Sequence, residues 1–81
     1  MPHYFFDVTN GGAATPDDVG VDLADDDEAR DEAVSLLPDI ARDELPDGDE
    51  HEFVVSVRDE RGEVVYEASL SLHGRWRPGR R

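Results

Sequence analysis

The chain has 81 residues, no cysteine, and 21 Asp and Glu against eight basic residues, all arginine, for a net charge of −13. That is one small domain, held together without disulfides or thiolate metal ligands, in a composition that fits a reducing compartment. No apolar run approaches the roughly 20 residues that cross a bilayer, and the start MPHYFFDV lacks the basic and apolar regions of a signal peptide. The cytoplasm is therefore the expected location. Four of the arginines lie in the last seven residues, so residues 1–74 set four cations against 21 carboxylates, a net −17. Such a body repels nucleic-acid phosphate and anionic lipid.

In chain order, His3 to Thr9 alternates Tyr4, Phe6 and Val8 with His3, Phe5, Asp7 and Thr9, a period of two in aromatic and β-branched residues that predicts a strand. Tyr4, Phe6 and Val8 are expected to face the core and Phe5 the opposite side. Asn10-Gly11-Gly12 and Thr15-Pro16-Asp17 carry turn chemistry, so residues 10–17 read as a hairpin loop. Val19, Val21 and Leu23 alternate with Gly20 and Asp22 in a second strand over 18–23, where Gly20 marks a bulge or a close approach of another backbone.

Ala29, Ala33, Leu36, Leu37 and Ile40 fall at helical spacing, and Asp25 with Glu28 three residues later makes an N-terminal capping pair. The acidic first turn suits the positive end of the helix dipole. Pro38 interrupts the pattern: it offers no N–H to the carbonyl of Val34. Either the helix is kinked there, or it stops near Leu36 and a second begins at Pro38; the continuing stripe through Ile40 and Ala41 favours the kink.

Phe53, Val55 and Val57 alternate with Val54, Ser56 and Arg58 in a third strand, and Asp59-Glu60-Arg61-Gly62 is a tight turn. Residues 64–72 alternate Val64, Tyr66, Ala68, Leu70 and Leu72 with Val65, Glu67, Ser69 and Ser71 in the fourth and longest strand. The expected architecture is α+β: ββαββ, one four-stranded antiparallel sheet with the helix packed on one face. Residues 1–74 form the domain and 75–81 an Arg-rich flexible tail. Phe5, Val54 and Val65 are expected on the uncovered face, where with the exposed edge strands they offer a surface for a homodimer.

The opening M-P-H-Y-F-F-D-V, Asp18 with Gly20-x-x-Leu23, and Glu28-Ala29-Arg30 with Glu32-Ala33 resemble a family of small bacterial proteins. Its members begin M-P-x-Y-F-F-x-V, continue through an acidic D-x-x-G-x-x-L segment and carry A-R-x-E-A in the following helix. The resemblance reaches the hairpin Val57 to Val64. That family is a domain of unknown function, so the resemblance implies a self-contained domain and supplies no catalytic residues; Pro38 and the Arg-rich tail lie outside its pattern.

Chemistry-bearing residues are thinly framed. Ser35, Ser56, Ser69 and Ser71 sit in no glycine-framed elbow beside a base. Asp47, Asp49 and His51 are the candidate metal ligands, in a loop that lacks the calcium-loop spacing. Arg75, Trp76 and Arg77 interleave an aromatic ring with guanidinium groups, a composition that can stack on bases, although the −17 body opposes nucleic-acid binding. The expectation is a non-enzymatic, acidic interaction or regulatory module with no cofactor, whose partner is a basic protein or a second copy of itself. The alternative is a small metal-dependent hydrolase built on residues 47–52.

Overall fold

The computed structural model describes residues 1–44 and 49–80. The chain is α+β, with strands β1 (His3–Asn10), β2 (Ala13–Thr15) and β3 (Val21–Asp22), helix α1 (Asp26–Glu44), then β4 (Glu50–Arg58) and β5 (Val64–His73). The sheet runs β2-β1-β4-β5, every pairing antiparallel, and β3 pairs with β1 on the same edge as β2.

The sheet therefore has five strands, not four. The predicted second strand over 18–23 is replaced by two short pieces: Ala13–Thr15 against Val8–Asn10, and Val21–Asp22 against His3–Tyr4. Pro16 has no N–H for a ladder, and Gly20 sits at a φ of 72° that a regular strand does not adopt, so pairing breaks between them. Val19, in the apolar phase of that predicted strand, is 76% exposed as a result.

α1 continues as one helix through the position of Pro38 and does not restart there. Pro38 and Val34 both lie on its exposed side, where water can satisfy the carbonyl that loses its partner. Asp25 caps it: its Oδ1 accepts from the Glu28 N–H at 2.9 Å, while the Glu28 carboxylate accepts from the Ala24 N–H at 3.0 Å. The return bond thus lands one residue before the cap, a shifted form of the capping box.

Ala29, Ala33, Leu37 and Ala41, spaced by four, form the buried ridge of the helix. Three alanines in that ridge let the helix axis come close to the sheet, and the bulk is supplied from below by Tyr4, Phe6, Phe53, Val55 and Val57. Tyr4 ties the layers further, donating its hydroxyl to the Asp26 carboxylate at 2.6 Å. That hydrogen bond, then burial, pushes its pKa up to about 12, which keeps it a donor.

β4 and β5 make a regular hairpin closed by Asp59 to Glu63. The Gly62 N–H donates to the Asp59 carbonyl at 3.0 Å with Gly62 at φ 84°, and Asp59 Oδ1 accepts from the Arg61 and Glu63 amides. A bulge follows at once: Val57 faces Tyr66 and Arg58 faces Val64, which leaves Val65 as the extra residue. Val65, expected on the uncovered face, packs against the core instead because of that offset. Toward the end of β5, Leu70 and Leu72, in the apolar phase of the strand, are 41% and 38% exposed. Val64, beside the bulge, is exposed as well. None of the described helices is long and apolar enough to cross a membrane.

Candidate functional site

The densest polar arrangement lies on the sheet face away from α1, where β1, β4 and the segment between β2 and β3 meet. His3, Phe5 and Asp7 alternate outward from β1, and β4 brings Arg58 opposite Phe5. Arg58 makes a forked pair with Asp7, Nε to Oδ2 at 2.6 Å and Nη2 to Oδ1 at 3.0 Å, and its Nη2 also donates to the Asp17 carbonyl at 2.9 Å. Its guanidinium carbon stands 4.9 Å from the centre of the Phe5 ring, close enough for a cation–π contact. Phe5 in turn meets the His3 ring edge-on at 5.1 Å.

Asp17 is the centre of this arrangement. Its Oδ2 accepts from the Phe6 N–H at 3.0 Å, and its Oδ1 accepts from the Val19 and Gly20 amides, each at 3.0 Å. Its own N–H donates to Asp7 Oδ1 at 2.8 Å. Phe6 lies between Tyr4, which β3 pairs, and Val8, which β2 pairs; a carboxylate stands where a strand carbonyl would otherwise accept. The amide bonds to Asp17, above all that from Phe6, and the Arg58 contact to Asp7 hold both carboxyls below the usual carboxylate range against the opposing effect of burial.

His3 completes the edge. Its Nδ1 lies 2.6 Å from Asp22 Oδ1 and its Nε2 lies 2.8 Å from the Val19 carbonyl oxygen. Both partners only accept, so the geometry suits a ring protonated on both nitrogens, and the Asp22 hydrogen bond followed by that to Val19 raises its pKa above 6.5. Gly20 makes this possible: a Cβ there would fall 2.5 Å from His3 Nε2 and 2.7 Å from the Tyr4 carbonyl oxygen. The close approach expected at Gly20 is thus present, with β1 as the approaching backbone.

Of the candidate site residues singled out in the sequence, Phe5 alone lies in this cluster. Val54 is half-buried further along the same face, opposite Thr9 and Ser69. Asp47 lies outside the described residues. The Asp49 carbonyl accepts from the Gly74 N–H at 2.6 Å, and His51 Nε2 donates to the Asn10 side-chain oxygen while its ring crowds Gly11. The Asp49 main chain and the His51 ring thereby hold strand ends, and among the described residues no three His, Asp or Glu side chains converge as a metal ion requires. Arg75, Trp76 and Arg77 follow β5 in an exposed segment without helix or strand.

Two roles were missed in the sequence. Asp17 reads in the sequence as a turn residue, and its spacing of two and three residues to Val19 and Gly20 is an Asx-turn signal, but its bond to the Phe6 amide across the edge has none. The Asp7–Arg58 pair spans 51 positions and has no local signal at all.

A shallow hollow of about 390 Å³ opens between the start of β1, the helix N-terminus and the β4–β5 turn, lined by Tyr4, Asp26, Asp59, Glu60 and Arg61 among others. Glu60 Oε1 accepts from the His3 N–H there at 3.0 Å.

The model of a protein family, a domain of unknown function designated DUF6894, matches residues 3–71. No curated protein and no solved structure matches the chain. The chain belongs to that family of domains of unknown function, as its opening motif and its helix suggested.

Proposed function

We propose that this domain is a non-enzymatic interaction module of the cytoplasm that holds a basic protein partner against the outer face of α1. The observation that carries this reading is the surface of that helix. Asp26, Asp27, Glu28, Asp31, Glu32, Asp39 and Asp43 are all exposed, against Arg30 and Arg42 as the helix's cations. The two arginines pair with neighbouring aspartates on the same helix at 3.3–3.7 Å, which leaves most of the negative charge uncompensated. Fields of one sign steer an oppositely charged partner and reject nucleic acid.

A second feature supports the same reading. The groups best suited to acid–base work on the open face, His3, Asp7 and Asp17, each hold backbone or the Arg58 guanidinium in place, so their chemistry is spent on architecture.

Calorimetric titration with a deca-arginine peptide at low salt tests the proposal. Saturable binding near one to one, weakened at least tenfold in an Asp27→Asn, Asp31→Asn, Glu32→Gln variant, is expected. Uptake that never saturates, or equal binding by that variant, would overturn it.

A further inference from the structure

The two edges of the sheet are built on different plans. On one side, β2 and β3 are three and two residues long and are separated by Pro16, Asp17 and Gly20. Short, broken, charged strands are how an edge is kept from pairing with another chain. The opposite edge is β5, ten residues without proline, glycine, lysine or arginine, and with Glu67 as its one carboxylate. Among the described residues, β4 is its sole strand neighbour, so one side of its backbone has no strand partner.

Apolar side chains stand along that edge. Leu70 and Leu72 are about two-fifths exposed on the helix side, and with Ala41 and Phe53 they line an apolar hollow of about 170 Å³. In a body so negative, β5 is also the longest strand and carries a single carboxylate along its ten residues.

We propose that β5 pairs antiparallel with β5 of a second copy of this chain, about a two-fold axis at Ser69, so that one sheet runs through both copies. The sequence is self-complementary in that register. On the helix side Tyr66 stands opposite Leu72 and Ala68 opposite Leu70, pairing the exposed leucines with apolar partners. On the other side Glu67 meets Ser71 and is kept away from its own copy.

Charge selects the same arrangement. The cationic segment follows β5 directly, and the acidic turn Asp59–Glu63 precedes it. Antiparallel pairing about Ser69 lays each copy's Arg75 opposite the other's Glu63, twice per dimer. An isologous contact of this kind closes on itself and needs no third chain. This inference is independent of the basic partner proposed for α1 and stands or falls by itself.

Sedimentation equilibrium on the full chain tests it. Twice the 9.0 kDa protomer mass is expected at high micromolar concentration. Glu63→Arg, and separately Arg75→Glu, should each weaken association about tenfold, because two symmetry-related cross-strand pairs become repulsive. The double variant Glu63→Arg with Arg75→Glu should restore it, and Leu72→Asp should weaken it at least as much. Glu63 and Arg75 are exposed, so unchanged far-UV circular dichroism certifies the fold of each variant. A 9.0 kDa species at every concentration overturns the proposal, as does a dimer indifferent to both single charge changes and to Leu72→Asp.

Discussion

The N-terminal hairpin returns along β1 in two fragments, Ala13–Thr15 and Val21–Asp22, whereas the C-terminal hairpin returns along β4 in one ten-residue strand. Both use an aspartate side chain to collect backbone amides. Asp59 collects the Arg61 and Glu63 amides in a turn that the ladder already closes on both sides. Asp17 collects the Phe6, Val19 and Gly20 amides across a gap that has no ladder. The same carboxylate chemistry is therefore an accessory in one hairpin and the principal fastening in the other. Side chains that fasten depend on protonation state and on one residue each; a ladder depends on neither.

The harshest way to break the N-terminal edge is Gly20→Ala. Positive φ and a Cβ 2.5 Å from His3 Nε2 and 2.7 Å from a backbone oxygen combine strain with overlap. A loss of about 2–4 kcal/mol is expected in chemical denaturation. Gly62→Ala, with φ 84° but open space around it, should cost only about 1–2 kcal/mol. Equal costs would show that conformation alone, not the approach of β1, explains Gly20.

Next in size is Asp17→Ala, which strands the Phe6 N–H inside the sheet and should cost about 2–3 kcal/mol. Amide hydrogen exchange should accelerate at Phe6, Val19 and Gly20 and leave Val55 and Val57 protected. Asp59→Ala, in the ladder-closed turn, should cost about 1 kcal/mol by the same measurement.

pH separates the hairpins most finely. Asp7 and Asp17 have lowered pKa values in the fold, so their contribution is complete above the ordinary aspartate value of 3.8 and is lost as pH falls through the lowered ones. His3 is raised, so its contribution is complete below 6.5 and is lost as pH rises through the raised value. Exchange at the Gly20 and Val21 amides should therefore quicken on both flanks, and His3→Gln should abolish the alkaline flank alone. Equal pH dependence in the β4–β5 amides would remove the distinction.

Much of this fold was legible in residue order. Period-two runs found β1, β4 and β5, the spacing of Ala29, Ala33, Leu36, Leu37 and Ile40 found the helix and the side it buries, and Gly62 found the turn, because each signal lies within a few residues of the element it specifies. The candidate site was legible only at Phe5 and Gly20. Asp17 was legible as a turn residue but not as the acceptor of the Phe6 amide, since a carboxylate that replaces a strand carbonyl has no periodic signature. Val65 was misplaced because a bulge shifts the alternation by one residue without altering composition.

By itself, then, the sequence determined an acidic, cysteine-free α+β chain with an alanine-ridged helix, through local periodicity and charge. The tertiary structure alone decided that Arg58 reaches Asp7 across 51 positions, that the first edge is broken while β5 has β4 as its sole strand neighbour among the described residues, and that Leu70 and Leu72 stay exposed. Those outcomes depend on strand order and relative length, and neither quantity is encoded within any single stretch of chain.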